Sequence, residues 1–198
     1  WLPPLDPDLS LDTLVKQYPF PVVPYQLRCL IGEADDPACQ RRLPVWADLS
    51  CGQNTLVYGA NGSGKIQLLT TMLQSLLMNH SAQEVHLYLL DYAASGLAAF
   101  LTAPQVGDVV HLNEDEKLIR LLMMLEREIE IRKEKLEGDL HAGSLEERLQ
   151  KAGLYHIVVV IHPLSALQEK MAEDRSSLLR LLANGPSYGI TFIATNSS

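Results

Sequence analysis

Apolar positions along the chain follow two rhythms. Short runs dense in β-branched and other apolar residues, at 54–58, 84–90, 109–112, 156–161 and 190–195, predict strands. Between them the spacing lengthens to that of a helix. Ile66, Leu69, Met72, Leu73, Leu76 and Leu77 mark one face over 65–78, and Leu118, Leu121, Leu122, Leu125 and Ile129 mark another over 114–137. Asn113 with Glu116 has the capping signature for that long helix, and Ser144 with Glu147 repeats it for a short helix ending near Gly153. A further helix over 174–183 stops at Asn184-Gly185-Pro186. The run at 156–161 is nearly all β-branched, as expected of a central parallel strand covered on both faces. Strands alternating with helices predict a doubly wound, mostly parallel α/β sheet with helices on both faces.

Before residue 44 this rhythm lapses. Residues 1–43 hold seven of the eleven prolines (Pro3, Pro4, Pro7, Pro19, Pro21, Pro24 and Pro37). Proline fixes φ and removes a donor, so the segment reads as an extended linker packed on a core of residues 44–198, with one short strand near 26–31.

Composition narrows the function classes. At 47% hydrophobic and 20% charged, the 198 residues suit one globular domain. The longest uncharged apolar stretch, 154–167, is too short to span a bilayer and contains His162 and Pro163, and no signal-peptide pattern opens the chain. These features predict no direct membrane contact by this domain. The charge balance is acidic, 16 Lys+Arg against 24 Asp+Glu, and the basic positions of 127–135 alternate with Glu128, Glu130 and Glu134. A duplex binder needs a basic stripe, so nucleic acid is not an expected partner. Cys29, Cys39 and Cys51 lack Cys-x-x-Cys or His spacing and predict neither a zinc site nor a disulfide framework.

The chemistry is concentrated in Gly59-Ala60-Asn61-Gly62-Ser63-Gly64-Lys65-Ile66, which fits the first seven positions of the P-loop pattern G-x-x-x-x-G-K-[ST]. Glycines let the backbone curl so that N–H groups point at a phosphate, the following helix adds its positive end, and Lys65 adds a point charge. Position 66 departs from the pattern. A P-loop puts a hydroxyl there as a direct magnesium ligand, and Ile66 has none. A second departure follows the strand at 156–161. Where a P-loop ATPase places an acidic pair to steer magnesium and water, this chain reads His162-Pro163. Imidazole is a poor ligand for a hard cation, and proline can neither ligate nor take a proton. These positions predict no catalytic residue, no metal site, weak ATP binding and little dependence on Mg2+.

The order of features resembles the motor core of FtsK/SpoIIIE-type ATPases, which implies a RecA-like P-loop NTPase fold. After the P-loop come a strand ending in Asp91, then Ala103-Pro104-Gln105-Val106 with Val109-Val110, a long helix with Arg127 and Arg132, and Gly185-Pro186-Ser187-Tyr188-Gly189-Ile190. At the N-terminus, Trp1-Leu2-Pro3-Pro4-Leu5 and Ile31-Gly32-Glu33-Ala34-Asp35-Asp36-Pro37-Ala38-Cys39-Gln40 resemble the linker and strand-turn that open the later motor domains of type VII secretion ATPases. Those proteins carry several cytosolic ATPase domains behind membrane helices, and the later domains often have altered motifs. The resemblance implies a second or third domain, with the last favoured, in the cytoplasmic part of a membrane-anchored bacterial protein. Its implied role is to recruit substrate or regulate neighbouring motor domains. The implied partners are the adjacent ATPase domains and the C-terminal signal of a WXG100-like secreted substrate. The alternative is a slow ATPase completed in trans by a neighbouring domain; a DNA translocase fits the acidic charge poorly.

Overall fold

The computed structural model describes residues 3–20, 23–136 and 143–197. Trp1, Leu2 and position 137, the last of the expected long helix, lie outside them. Five strands form one parallel sheet: β3 (Thr55–Tyr58), β4 (Val85–Asp91), β5 (Val106–His111), β6 (His156–His162) and β7 (Ile190–Asn196), in the spatial order β3-β7-β6-β4-β5. The fold is therefore the parallel α/β architecture that the alternating rhythm predicts. β5 starts three positions before the expected 109.

Strand alternation divides the core. Ile157, Val159 and Ile161 of β6, with Ile190 and Phe192 of β7, face one side, where α3 (Asp115–Leu136), α5 (Leu164–Lys170) and α6 (Arg175–Asn184) contribute Leu125, Ile129, Leu167 and Leu181. Val158, Val160 and Ile193 face the other side, under Leu69, Leu73 and Leu76 of α2 (Lys65–Asn79). Each central strand is thus buried on both faces, as a parallel sheet requires.

The N-terminal region is more structured than an extended linker. Ser10 caps a short helix, α1 (Leu11–Gln17), its side chain accepting from the Thr13 N–H. Where one strand was expected near 26–31, β1 (Arg28–Asp36) pairs antiparallel with β2 (Arg41–Asp48), and the division at 43/44 falls inside β2. Leu27, Cys29 and Leu49 of this region join the α2 core, and the Leu30 N–H donates to the buried Ser75 hydroxyl of α2 at 2.8 Å. Apolar burial explains the fold of the hairpin better than its proline count does.

Two quoted motifs meet here. Arg42 donates to the carbonyls of Pro3 and Pro4 at 2.7 and 2.9 Å and pairs with Glu33 and Asp35 at 3.5 Å. The acids of the strand-turn motif therefore orient the guanidinium that clasps the linker motif.

Caps behave as local chemistry directs, with one difference. Ser144 and Glu147 form the expected capping box on α4 (Leu145–Lys151). At α3 it is Glu114, rather than Asn113, that ties the start, its carboxylate accepting from the His111 N–H at 2.8 Å. Arg132 of α3 is fully buried. Its Nη1 donates to the Tyr188 carbonyl at 2.8 Å, and its guanidinium lies 5.3 Å from the centre of the Tyr155 ring, fixing the turn that leads into β7. No helix of the described residues is long and apolar enough to cross a membrane.

His156, at the start of β6, is also fully buried, with Nε2 2.9 Å from the Tyr25 carbonyl. That carbonyl can only accept, so Nε2 carries the proton and Nδ1 is enclosed without a partner. Burial lowers the imidazole pKa from 6.5 to about 4, against the pull of the Tyr25 carbonyl. The unfolded chain therefore takes up this proton at higher pH than the folded one. The stability contributed is intact above pH 6.5 and is lost as pH falls toward 4, about 3 kcal/mol in all. Urea unfolding measured from pH 7 to 4 should show this slope. His156→Gln, which keeps a donor for the Tyr25 carbonyl, should remove that share of it.

Candidate functional site

Parallel strands end together, so the tips of β3, β7, β6 and β4 share one sheet edge, the usual place for a ligand in this architecture. At β3 the chain turns through Gly59–Ser63 into α2. Gly64 is the N-cap of α2, with φ +85°, a left-handed conformation that costs an L side chain strain. A Cβ on Gly59 would lie 2.7 Å from the Ser63 hydroxyl, which would have to turn aside to make room. The first turn of α2 leaves its N–H groups without intrahelical acceptors, as an anion cradle requires. The eight motif residues thus occupy the strand-to-helix turn that their spacing predicts.

Lys65 does not reach outward. Its Nζ donates to the carbonyls of Gly59 and Ala60 at 2.6 and 2.8 Å and to the Ser197 hydroxyl at 3.1 Å. Ser197 in turn donates to Asn61 Oδ1 at 3.0 Å. Ile66 is half-buried and packs against the α2 core beside Leu69. It serves packing and brings no oxygen to the edge.

β6 ends in His162, whose Nδ1 lies 2.5 Å from the hydroxyl of Thr195 on β7, and Pro163 is the N-cap of α5. Burial lowers the His162 pKa; Asp91 opposes that shift and Lys65 adds to it. Asp91 sits on β4 directly beside His162 in register, yet it is 2% exposed and both its oxygens are engaged. Oδ1 accepts from the Ser95 N–H and hydroxyl at 2.8 Å, and Oδ2 accepts from the Leu97 N–H at 3.1 Å. Burial pushes this carboxyl upward, but those donors, with His111 nearby, hold it below the ordinary carboxylate value. Asp91 therefore folds the following loop. Magnesium needs a shell of oxygen ligands. The side chains at 66, 91, 162 and 163 offer none that is free, so this donor set does not fit the ion.

Sequence reasoning places the P-loop, Asp91 and His162-Pro163 at one edge, and the structure brings them together there. It does not identify Thr195 or Ser197 as contacts. Their signal is positional only: β7 inserts between β3 and β6, which no local pattern announces.

Comparison with known proteins agrees with this geometry. The FtsK/SpoIIIE family model matches residues 32–191, from the first strand of the hairpin through the sheet into β7. The chain belongs to the FtsK/SpoIIIE family. This FtsK/SpoIIIE module is 29% identical over 215 residues to the ESX secretion system protein EccC of Thermomonospora curvata, covering 100% of this chain and 16% of that protein. The cytoplasmic domain of the type VII secretion ATPase EccC from the same organism superposes with a TM-score of 0.86 at 27% identity, over 100% of this chain and 25% of that one. A structure of its ATPases 2 and 3 in complex with a signal sequence peptide gives 0.79 at 25% identity, over 91% of this chain and 34% of that one. The module spans between about a tenth and a sixth of the length of the curated relatives it matches.

The packing role of Ile66 and the loop role of Asp91 lead to a measurable expectation. Ile66→Ser should cost about 1–2 kcal/mol through lost apolar burial. Asp91→Ala should cost about 2–3 kcal/mol by leaving the Ser95 and Leu97 donors unpaired. Shifts in denaturant midpoint at constant m-value would report both.

Proposed function

We propose that this module is a non-hydrolysing, P-loop-derived domain of a type VII secretion ATPase, one of the later domains of a tandem array. In this reading it acts in substrate recruitment or in regulating neighbouring motor domains, as a cytoplasmic part of a membrane-anchored protein. The observation that carries the reading is the fate of the acidic and hydroxyl positions at the sheet edge. Asp91 is spent on its own loop, position 66 belongs to the core, and His162 is bonded to Thr195. Charge developing on a transferring phosphoryl would find no metal there to stabilise it. The cradle and Lys65 remain, which supports weak binding of ATP or inorganic phosphate without magnesium.

Leu56 and Tyr58 on the edge strand β3 support docking to protein. They are 56% and 62% exposed immediately before the phosphate loop, an apolar face beside the cradle. The relative whose ATPases 2 and 3 were solved with a signal sequence peptide supports peptide recognition as the mode. The partners in this reading are an inter-domain linker, or the C-terminal helix of a WXG100-like exported protein, laid against that face.

Two outcomes follow. Purified protein should turn over ATP at background rate, and with its tandem neighbours present it should add no turnover that Lys65→Ala removes. Magnesium-dependent turnover that Lys65→Ala abolishes would establish the rival reading, an ATPase completed in trans. In anisotropy titrations, linker or substrate C-terminal peptides should bind more tightly than about 100 μM, or about −5.5 kcal/mol, and Tyr58→Glu should weaken them. If neither peptide binds at that level, the module is a spacer that keeps the array in register.

A further inference from the structure

We infer that Ser197 latches the phosphate loop shut, holding Lys65 in the space that a phosphate would take. This rests on the reading above only in that the cradle accepts a phosphate without metal.

An ammonium group has three N–H donors and no acceptor. In Lys65 all three are satisfied inside the protein, by the carbonyls of Gly59 and Ala60 and by the Ser197 hydroxyl. The lysine that should meet an incoming anion is therefore fully bonded to its own loop. The Ser197 hydroxyl does double duty, accepting from Lys65 and donating to Asn61 Oδ1, so it ties the middle of the loop to the head of the lysine.

Sheet topology places Ser197 there. β7 lies between β3 and β6, and the last register pair of the β3–β7 ladder is Tyr58 with Asn196. The Gly59 N–H then donates to the Asn196 carbonyl at 3.3 Å, carrying the ladder into the loop itself. The next residue along β7 necessarily stands beside the loop. On the other flank of the same strand, Thr195 holds His162. One strand tip thus restrains both halves of the site. A phosphate must draw Lys65 away from three acceptors, and it must break the Ser197–Asn61 bond if the loop is to widen.

Removing the hydroxyl should therefore favour ligand. Ser197 is exposed, so Ser197→Ala should keep the fold, as an unchanged melting temperature would verify. Two measurements separate the latch from the reading it rests on. The first is the acylation rate of Lys65 by an amine-reactive ester, read by mass spectrometry, with the exposed Lys16 as internal reference. The second is calorimetric titration with pyrophosphate in EDTA. The latch predicts faster acylation of Lys65 in Ser197→Ala, and also in Asn61→Ala. It also predicts pyrophosphate binding tighter by about three- to tenfold, the range for losing one such hydrogen bond. Equal acylation rates would overturn the latch whatever the binding. Faster acylation with no pyrophosphate binding by either protein would uphold the latch and sink the metal-free phosphate reading. Weaker pyrophosphate binding by Ser197→Ala would overturn the latch by making the hydroxyl a ligand contact.

Discussion

Everything in this module depends on a sheet whose central strands have no wet face. A strand buried on both sides must pair its backbone along its full length, and parallel pairing forces each connection to cross over a face. All the strand tips are then gathered at one edge, where the connections turn. The phosphate loop, the His162 tip, the Asp91 tip and the end of β7 are neighbours for that reason, although 138 positions separate Gly59 from Ser197. The hairpin and α2 on one face, and α3, α5 and α6 on the other, keep that sheet dry.

The edge also separates the positions that the strand-to-helix turn constrains from those it leaves open. Two glycines of the loop, Gly62 and Gly64, are demanded by backbone geometry, each having a left-handed φ. They persist as long as the strand-to-helix turn does. The hydroxyl and acidic positions are under no such demand. Isoleucine at 66 gains core contacts, and histidine at 162 gains a bond to Thr195. Side chains at 66 and 162 are thus engaged by the fold itself, one in packing and one in a hydrogen bond.

This division sets what could be read from the chain. The sheet strands are legible from their apolar runs, α2, α3 and α6 from a periodic buried face, and the short α4 from its Ser144–Glu147 capping box. The hairpin was read only as a short strand, because prolines and charges mask its apolar positions: Leu27, Cys29 and Leu49 are too sparse to form a rhythm, and they are core residues only because α2 lies above them. α1 and α5, seven residues each, carry too few turns for periodicity to accumulate. At the site, the departures at Ile66 and His162-Pro163 are legible because a motif defines what should stand there. The engagement of Asp91 by Ser95 and Leu97 is not, since an aspartate at a strand end looks the same whether its oxygens face a ligand or its own loop.

The Arg42 clasp anchors the proline-rich start of the module. Prolines have carbonyls but no N–H, so Pro3 and Pro4 can be held only by a donor from outside, and one guanidinium supplies it to both. Arg42 therefore ties the N-terminal segment to the hairpin, beside the Tyr18 and Gln17 side chains that donate to Glu33. The acids Glu33 and Asp35 hold that arginine to the hairpin, and the Leu30–Ser75 bond holds the hairpin to α2. The helix that Leu30 meets begins at Lys65. The N-terminal segment, the hairpin and the helix that opens at the phosphate loop are thus joined by one continuous run of polar contacts.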